Sequence, residues 1–551
     1  MNRFDHPIFD KKYIPFILLG LIIVAGIFLR TYHFADWSRF NDDQARDATF
    51  VHGVLSGRKD LPLLGPNASG TRFRLGPLFY YFQSASAWTF GDTPVTLAYP
   101  DLFFSILAIP MLFLFLRKCF SDRISLVVTA LSAVSSYAVE YSRFAWNPNS
   151  LSFFTIFFLY ALSETDTEDR KRKLSWTILS GIALGVGVQL HTLFLLVAPF
   201  VLIAFFLLTF RKQPSIWKTT TIIVAVALFL NAPQLSSEVQ TSGENTREFI
   251  TGIIMESTPI RLLPEYAVVD GVCQVRNNAM IISSSEGLED CHLAGFRSRL
   301  AAEEKALGTF GRIIALSGLA LSTLFSVGGY LLLLWRAHRE TDPKKRRFLV
   351  LVAVYAIAAF LIFIPFATEM TSRYFLVVEF VPFLFLALWF ESAEKRFAKI
   401  GVSIIVAVII ILSFLNVRTL FETFASYEGA HPERVVAPES VTVSDIRSIA
   451  GYIRVHAGTS DTVYVDDRSG DLFGMIKGLF YFLDPYGITI KTLNENTRIA
   501  PDFPVFSIDL SSISKDEELL LERSSKEKLA DYHITDSATF GRFTVFAFGR
   551  N

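Results

Sequence analysis

Apolar residues form long runs along the first three quarters of the chain, and most of these runs approach 20 residues. An α-helix rises 1.5 Å per residue, so such a run crosses a hydrocarbon core about 30 Å thick. The first run, Ile14–Leu29, is followed by no small-residue cleavage site, so we expect a retained helix rather than a signal peptide. The runs predict about 11 membrane-spanning helices, near residues 13–30, 96–117, 122–141, 148–164, 174–190, 192–210, 217–235, 310–336, 347–366, 374–391 and 399–417.

Basic residues divide the connecting segments into two kinds. Lys and Arg concentrate in segments 2–12, 117–123, 170–173, 211–218, 336–347 and 394–399. The positive-inside rule places these segments in the cytoplasm, and every predicted span then joins one side of the membrane to the other. The alternation holds only if a further short apolar helix at 76–90 does not cross, so we expect that helix to lie on the outer surface or to re-enter from it. The N-terminus is then cytoplasmic and the C-terminus extracytoplasmic, in what we expect to be a bacterial inner membrane.

The same alternation places three large regions outside: a first outer loop at 31–75, a long outer loop at 236–309, and the tail after residue 421. Cys273 and Cys291 lie in the long outer loop, where a disulfide bond between them suits an oxidising compartment. Two unpaired thiols are the alternative. Cys119 lies in a cytoplasmic segment and is expected to be free.

The pattern of the tail differs from that of the bundle, because short segments replace the long apolar runs. Strands alternating with helices indicate an α/β domain, and about 130 residues are enough for a separate core. The chain therefore divides into a helical membrane bundle at 1–420 and an extracytoplasmic α/β domain at 421–551. Strands are predicted at Asp461–Asp467, Ile488–Leu493, Phe503–Leu510, Tyr532–Thr535 and Phe543–Phe548, and helices near 443–457, 470–483 and 514–530.

The composition agrees with a membrane bundle. Charged residues make up 19% of the chain, against about 25% in soluble domains, and the 53 Phe residues suit hydrocarbon. Lys plus Arg and Asp plus Glu each number 52, so the net charge is zero and indicates no class of partner by itself. We expect the lipid bilayer and a membrane-borne substrate as partners, and no nucleic acid.

Acidic residues cluster in the first outer loop, within the sequence FNDDQARDA. If a helix begins here, Asn41 or Asp42 can cap it, and Asp43 and Asp47 share one face with Arg46 beside them. A carboxylate at the membrane surface with a neighbouring Arg can act as a general base or hold a cation. The alternative is an ordinary capped and solvated helix start. The three acids are an incomplete ligand set, so neither a divalent metal nor any other cofactor is firmly predicted.

Two arginines, Arg72 and Arg74, precede the aromatic surface helix in the sequence GTRFRLGPLFYYFQ. A guanidinium group at headgroup depth suits a phosphate, because it presents two parallel donors. The alternative is that both side chains reach lipid headgroups without a specific ligand.

Three further outer turns carry polar or charged residues at the ends of spans. In the turn EYSRFAWNPNS, which we name the second outer turn, Asn147 is expected to cap a helix that begins at Pro148. Arg143 has no comparable structural reason to be there. An ionisable residue at a membrane edge is a functional candidate, although a hydrogen bond to a backbone carbonyl explains a histidine equally well. The other candidates at these turns are Glu140, His191, Arg373 and Tyr374.

By the predicted topology, all of these charged groups lie at one outer face of the membrane. Several cations that converge near carboxylates at a bilayer surface indicate a polyanionic amphipathic ligand, such as a lipid phosphate. The sequence therefore predicts a site at this face.

On these motifs the sequence resembles the GT-C superfamily of membrane glycosyltransferases, and in particular the family 39-like branch of protein mannosyltransferases and aminoarabinose transferases. The resemblance covers about residues 13–420 and rests on FNDDQARDA, RLGPLFYY, YSRFAWNPN and the late RYF. It implies transfer of a sugar from a polyprenyl-phosphate donor to an acceptor hydroxyl or phosphate, with inversion at the anomeric carbon.

The resemblance also implies roles for single residues. Asp43, with Asp42 beside it, matches the family's catalytic base, and Gln44 follows it where most members have Glu. Arg74 matches the basic residue that contacts the donor phosphate, although Gly76 replaces the expected proline. Several members have a second acid where Asn147 stands here, so a two-acid mechanism would require Glu140 to substitute for it. The arginines expected to bind the donor phosphate are Arg72, Arg74, Arg143 and Arg373.

Two other classes of function are alternatives to a transferase. A transporter or flippase for a lipid phosphate would need charged or broken helices at the midplane, usually in repeated halves. The spans are mostly free of charge there, and no repeat is visible. A scaffold that only displays the tail domain is the third hypothesis.

Overall fold

The computed structural model describes residues 13–68, 71–210, 215–256, 264–284, 293–367, 370–428, 441–466, 474–493, 503–510 and 532–550. Helices dominate the chain up to residue 428, and a small mixed domain follows. The helices, numbered in chain order, are α1 Ile14–Thr31, α2 Phe34–Trp37, α3 Asp42–Leu55, α4 Leu78–Phe90, α5 Pro94–Leu97, α6 Tyr99–Leu116, α7 Asp122–Val134, α8 Ser136–Glu140, α9 Leu151–Glu164, α10 Arg170–Leu190, α11 Thr192–Phe210, α12 Ser215–Leu230, α13 Ala232–Gln240, α14 Glu244–Glu248, α15 Pro264–Ser283, α16 Leu293–Arg339, α17 Pro343–Phe363, α18 Phe380–Tyr427, α19 Val443–Ala457 and α20 Ile476–Leu483. A π-helix covers Phe249–Glu256, and 3-10 helices cover Ile364–Phe366, Ser372–Val378 and Asp484–Tyr486.

The described helices include six that are long and apolar enough to cross a membrane, or up to eight if each of two bent pairs forms one span. The predicted apolar runs are all helical over most of their length, but several are short or bent. The run at 122–141 is divided at Ser135 into α7 and α8. Because α9 has only 14 residues, it extends about 21 Å, which is less than the hydrocarbon thickness.

Two of the longest helical stretches change direction within their length. In α16, Gly308 has a non-helical backbone with φ of 63°, so the membrane helix begins there. In α18, a Cβ at Gly401 would lie 2.4 Å from the carbonyl oxygen of Ala393, eight residues earlier. A straight helix would separate these residues by about 12 Å. The chain therefore turns back near residue 400, which agrees with separate predicted runs at 374–391 and 399–417.

Phenylalanine side chains form much of the interior of the bundle. Phe113, Phe115, Phe158 and Phe194 are among the largest side chains with less than 2% exposure. The ring of Phe115 packs edge-on against Phe348, with centroids 4.9 Å apart. Such aromatic pairs contribute packing energy beyond the area they bury. The high Phe content therefore serves contacts between helices as well as contact with lipid.

Helix α4 corresponds to the predicted surface helix at 76–90. Its 13 residues extend about 20 Å, so it is too short to cross a core about 30 Å thick. One face is buried, including Tyr80 and Ala87, whereas Trp88 is 81% exposed.

Helix α15 carries Cys273, which forms a disulfide bond. Its predicted partner, Cys291, lies outside the described residues. Cys119 is a free, buried cysteine, as the sequence predicts.

The described residues of the tail domain form a five-stranded sheet in the order β2-β1-β3-β5-β4. The strand β1 pairs in parallel with both β2 and β3, whereas β5 runs antiparallel to β3 and β4. This mixed sheet with flanking helices is the small α/β fold that the sequence predicts, and the predicted helix at 514–530 lies outside the described residues. The strands are β1 Thr462–Asp466, β2 Thr489–Leu493, β3 Val505–Leu510, β4 Tyr532–Phe540 and β5 Phe543–Arg550.

Candidate functional site

Helix α3 begins at the predicted acidic cluster, and Gln44 fixes its start. The Gln44 side-chain oxygen accepts a hydrogen bond from the backbone N–H of Asn41 at 3.2 Å. Its amide nitrogen donates to the carbonyl oxygen of Ala145 at 3.1 Å. Gln44 therefore closes the first turn of α3 and joins it to the second outer turn.

Three of the clustered side chains form one hydrogen-bonded group with Tyr80 of α4. The Arg46 guanidinium donates to both carboxylate oxygens of Asp47, at 2.9 and 3.1 Å, and to Asp43 Oδ1 at 2.8 Å. The Tyr80 hydroxyl donates to Asp47 Oδ1 at 2.9 Å. We name Asp43, Arg46, Asp47 and Tyr80 the acid network. Asp47 is fully buried, whereas the side chains of Asp43 and Arg46 are 43% and 40% exposed. The acid network is therefore accessible to solvent at Asp43 and Arg46.

Burial and charge act against each other inside the acid network. Burial raises the pKa of Asp47, and the hydrogen bonds from Arg46 and Tyr80 only partly offset this rise. Burial lowers the pKa of Arg46, but the two neighbouring carboxylates outweigh it and raise that pKa overall. The pKa of Tyr80 is raised by burial and by the Asp47 charge. Arg46 therefore stays charged and holds the two carboxylates in fixed positions.

Asp42 points away from the acid network, toward the tail domain. Its Oδ1 accepts from the backbone N–H of Lys477 at 3.3 Å, and its Oδ2 lies 3.3 Å from Lys477 Nζ. The three acids of the motif thus have three different surroundings. The described residues contain no group of three or more His, Cys, Asp or Glu side chains that could hold a metal ion.

Arg74 is half-buried and serves the first outer loop. Its guanidinium donates to the carbonyl oxygens of Gly65 at 2.9 Å and Leu64 at 3.4 Å. Its backbone N–H and C=O both bond the Asn245 side chain, at 2.8 and 2.9 Å, which joins this loop to the long outer loop. Arg72 is exposed. The carbonyl contacts leave Arg74 less suited to a phosphate than the sequence predicts.

Gly76 allows α4 to approach the end of α10. A Cβ at this position would lie 2.3 Å from the side chain of Gln189, which is fully buried. The Gln189 oxygen accepts from the backbone N–H of Leu78 at 3.4 Å. The glycine that replaces the expected proline therefore has a packing reason.

Arg143 has a structural role that the sequence does not reveal. Its guanidinium donates to the carbonyl oxygens of Arg30 at 2.9 Å, Leu29 at 3.3 Å and Tyr32 at 2.7 Å. It is 3% exposed and lies over the ring of Phe424. Arg143 therefore caps the C-terminal end of α1, where carbonyl groups lack intrahelical donors. We do not retain it among the phosphate-binding candidates.

The prediction that Asn147 caps a helix beginning at Pro148 is wrong. Helix α9 begins at Leu151, and the Asn147 amide instead donates to the carbonyl oxygen of Leu190 at 2.7 Å. Asn147 thus joins the second outer turn to the end of α10, next to His191. Glu140 lies near Arg39 and Arg143.

His191, Arg373 and Tyr374 come together beside Trp146 of the second outer turn. The Arg373 guanidinium lies 5.2 Å from the ring centroids of both Trp146 and Tyr374. The ring of His191 stands edge-on to Tyr374, with centroids 5.5 Å apart. Its Nδ1 accepts from the Leu193 backbone N–H at 3.1 Å, so the neutral ring carries its proton on Nε2. We name Trp146, His191, Arg373 and Tyr374 the arginine–aromatic cluster.

The burial of His191 determines its charge. Burial lowers its pKa to about 3, and the positive charge of Arg373 contributes to the decrease. The ring is therefore neutral at pH 7 and offers a hydrogen-bond donor without a charge.

Tyrosines of α8 and its C-terminal end hold the segment that carries Arg373. The Tyr137 hydroxyl donates to the Ser372 carbonyl oxygen at 2.8 Å, and the Tyr141 hydroxyl lies 3.0 Å from Ser372 Oγ. Asp101, which the sequence analysis missed, accepts from the Trp146 N–H at 3.0 Å and from Ser150 Oγ at 2.5 Å. A carboxylate at the start of the apolar run YPDLFF was the available signal, because such a residue inside a span is rare.

The acid network and the arginine–aromatic cluster lie on neighbouring elements. The Gln44–Ala145 hydrogen bond connects α3 to the residue before Trp146. The Gln189–Leu78 hydrogen bond connects α4 to the turn that carries His191. These two bonds place the acid network and the arginine–aromatic cluster on adjoining elements, while Asp42, Arg74, Arg143 and Asn147 bond other partners.

Comparisons with known proteins agree with this architecture. The model of the family described as dolichyl-phosphate-mannose-protein mannosyltransferase matches residues 74–236. The structure is similar to that of ArnT from Cupriavidus metallidurans bound to undecaprenyl phosphate, with a TM-score of 0.54, 12% identity and 98% coverage of each chain. The apo state of the same protein gives a TM-score of 0.50 at 13% identity and 97% coverage of each chain.

A third similar structure is the archaeal oligosaccharyltransferase AglB from Archaeoglobus fulgidus, in complex with an inhibitory peptide and a dolichol-phosphate. Its TM-score is 0.50 at 12% identity, over 91% of this chain and 70% of that chain. No curated protein sequence matches the chain. The chain is therefore a multi-pass membrane protein with the GT-C glycosyltransferase fold, and its residues 74–236 match the protein-mannosyltransferase family.

Proposed function

We propose that the protein transfers a sugar from a polyprenyl-phosphate donor to an acceptor hydroxyl or phosphate at the extracytoplasmic face of the membrane. The observation that carries the proposal is the placement of an exposed, arginine-held carboxylate on an element adjacent to those that carry a half-buried arginine and a neutral histidine. A glycosyl transfer from a lipid phosphate needs these two kinds of group at one place: a proton acceptor and a stabiliser of negative charge.

Asp43 is the proposed general base. Arg46 holds its Oδ1 at 2.8 Å, and the carboxylate is 43% exposed, so its second oxygen can accept a proton from an acceptor. The acceptor oxygen attacks the anomeric carbon as Asp43 takes its proton. The bond between that carbon and the phosphate oxygen breaks, and its electron pair leaves with the polyprenyl phosphate. A single displacement of this kind inverts the anomeric carbon.

Arg373 and His191 are the proposed partners of the donor phosphate. The guanidinium carries a fixed charge between two aromatic rings, and the His191 Nε2–H adds a neutral donor beside it. Groups that stabilise charge as it develops usually make the largest contribution to catalysis. Phosphate is itself a good leaving group, so a strong general acid is not required. Arg72, which is exposed on the first outer loop, is a further candidate for the phosphate.

The similar structures support the choice of donor. ArnT is described with undecaprenyl phosphate and AglB with dolichol-phosphate, and both share the fold of this chain. At 12% identity the likeness extends to the fold, so the assignment of the donor depends on the residues named above.

The test is transfer by the purified protein in liposomes. The substrates are polyprenyl-phosphate sugars and envelope glycans extracted from a strain that lacks the protein, and mass spectrometry follows release of polyprenyl phosphate and the mass gain of an acceptor. We expect Asp43→Asn to fold and to bind undecaprenyl phosphate, but to lose transfer by about 100-fold or more.

Asp60→Asn is the matched control, because Asp60 is an exposed acid of the same loop and lies outside the site. It should transfer at the wild-type rate. Turnover of Asp43→Asn at the wild-type rate would exclude Asp43 as the base. Movement of the lipid across the bilayer by the wild type, without any covalent product, would replace the transferase with a flippase.

A further inference from the structure

The tail domain packs directly on the helix that carries the acids. Helix α20 lies along α3, and the ring of Phe40, two residues before α3, packs edge-on against Tyr481 and Phe482 at 5.6 and 5.8 Å. Phe40 is 1% exposed, so solvent is excluded from this contact. The apolar part of the interface therefore begins immediately before the acidic motif.

Backbone hydrogen bonds reinforce the same interface. The Phe40 N–H donates to the Val441 carbonyl oxygen at 2.8 Å, and the Val443 N–H donates to the Ser38 carbonyl oxygen at 2.9 Å. An isolated β-bridge pairs Arg39 with the residue between them, Thr442. These bonds join the chain entering α3 to the chain entering α19, so the tail domain is held at the start of the acid-bearing helix.

Asp42 supplies a cap for α20 across this interface. The Met475 side chain, at the N-cap position of α20, makes no capping hydrogen bond. The Asp42 carboxylate accepts from the N–H of Lys477 in the first turn of α20 and also pairs with its ammonium group, both at 3.3 Å. Anionic groups are favourable at a helix N-terminus, because its N–H groups lack intrahelical acceptors. Gly474, with φ of +57°, permits the close approach, since a Cβ there would lie 3.3 Å from Asp42.

We propose that the tail domain positions the catalytic base, and that the Asp42–Lys477 contact is the link. Asp42 is the first residue of α3 and precedes Asp43, so holding Asp42 from the tail side fixes the first turn of α3. Arg46 holds Asp43 from the other side. Asp42 and Lys477 are positioning residues in this arrangement, and the proposal rests on the proposed function of Asp43.

A positioning role differs from simple docking in what it does to turnover. The proposed phosphate partners, His191 and Arg373, lie on other elements and touch neither Asp42 nor Lys477 in the described contacts. Loss of the link should therefore lower kcat and leave donor affinity unchanged. A purely structural role would lower thermal stability, kcat and donor affinity together.

The test compares Lys477→Met with Lys491→Met in the full-length protein. Both lysines are exposed and lie in the tail domain, but Lys491 lies on β2 and packs against Tyr464 and Phe503 instead of α3. For Lys477→Met we expect kcat to fall by about 10-fold or more, since small misplacements of a reacting group are costly. The Kd for undecaprenyl phosphate should stay within about twofold, because no phosphate partner changes.

Two additional measurements complete the test. Lys477→Arg keeps the charge and should restore most of the lost kcat. Hydrogen exchange should accelerate in peptides covering residues 42–48 of Lys477→Met, and not in those of Lys491→Met. An unchanged kcat in Lys477→Met, or a parallel fall of kcat, affinity and thermal stability, would overturn the proposal.

Failure of this inference can be told from failure of the proposed function. If the wild type transfers no sugar, the function is wrong, and the link between the tail and α3 is then judged by exchange alone. Unchanged exchange at residues 42–48 in Lys477→Met would exclude the Asp42–Lys477 ion pair as the link in either case.

Discussion

Single residues of the same chemical type have different roles in this protein, because their surroundings differ. Arg143 and Arg373 both precede an aromatic residue at an outer turn. One guanidinium donates to three carbonyl groups at the end of α1, whereas the other lies between two aromatic rings beside His191. Only the second arginine belongs to the arginine–aromatic cluster, whose proposed ligand is the donor phosphate.

The two arginines provide a paired prediction. Arg143→Gln should lower thermal stability, since removing a charged donor from buried carbonyl groups costs about 1.5–3 kcal/mol or more. Arg373→Gln should lower affinity for undecaprenyl phosphate by about 10- to 100-fold, which corresponds to the loss of a charged hydrogen bond. Thermal unfolding and ligand titration of both variants separate these effects. The opposite pattern would exchange their assigned roles.

His191 makes stability depend on pH at the residue scale. Folding lowers its pKa from 6.5 to about 3, so the unfolded chain binds more protons than the folded chain between these values. The contribution of His191 to stability is complete above about pH 6.5 and is lost as the pH falls toward 3, by at most about 1.4 kcal/mol per pH unit.

His191→Asn should therefore weaken the loss of thermal stability between about pH 7.5 and pH 5. Unfolding temperatures of the wild type and the variant across this range in the same detergent provide the measurement. His52→Asn is the control, because His52 is largely exposed and pairs with Asp92 outside the site. A wild-type pH profile in His191→Asn would show that the buried ring does not titrate as described.

At the scale of elements, close helix contacts determine which loops meet. Helix α4 reaches α10 only because Gly76 has no side chain, and Gln189 fills the space a Cβ would need. Gln189 is held there by hydrogen bonds to the carbonyl oxygens of Gly185 at 2.9 Å and Leu230 at 3.1 Å. This contact sets the distance between Tyr80, which belongs to the acid network, and the turn that carries His191.

Gly76→Ala should therefore damage the site through its packing. We expect the free energy of unfolding to fall by about 1–3 kcal/mol, as for other overpacked positions. Binding of undecaprenyl phosphate should also weaken. Gly318→Ala is the control, because a Cβ at Gly318 meets nothing within 4 Å. Shortening the obstructing side chain in Gly76→Ala/Gln189→Ala should recover part of the binding. Full activity of Gly76→Ala would contradict the close contact.

At the scale of the whole molecule, the tail domain and the first outer loop must lie on the same side of the membrane, because backbone hydrogen bonds join them. The distribution of basic loops places that side outside. Together they predict one orientation, with the acid network, the arginine–aromatic cluster and the tail domain all extracytoplasmic.

Cysteine labelling in intact cells tests this orientation. In a Cys119→Ser background, Lys491→Cys in the tail should react with a membrane-impermeant maleimide from the outside. Lys171→Cys, in the basic first turn of α10, should react only after the membrane is opened. Labelling of Lys171→Cys and not of Lys491→Cys would reverse the orientation, and would place the proposed site in the cytoplasm.

The amino-acid sequence by itself determined the class of protein, because hydrophobic run length and the period of strands and helices are local properties. It predicted the helical bundle, the surface helix α4, the strands of the tail and the outer loops that hold Asp43, His191 and Arg373. These elements depend on burial in hydrocarbon or in a small core, and each is encoded by residues close together in the chain.

Only the tertiary structure decided what each polar side chain does. The sequence could not show that Arg143 caps α1 more than 100 residues away, that Asn147 bonds the end of α10, or that Asp42 caps a helix 435 residues along the chain. Hydrogen-bonding groups have the same donors and acceptors wherever they stand, so their roles depend on which partners the fold brings within about 3 Å. Packing of distant elements, rather than local pattern, therefore separates the residues that face the site from those that hold it together.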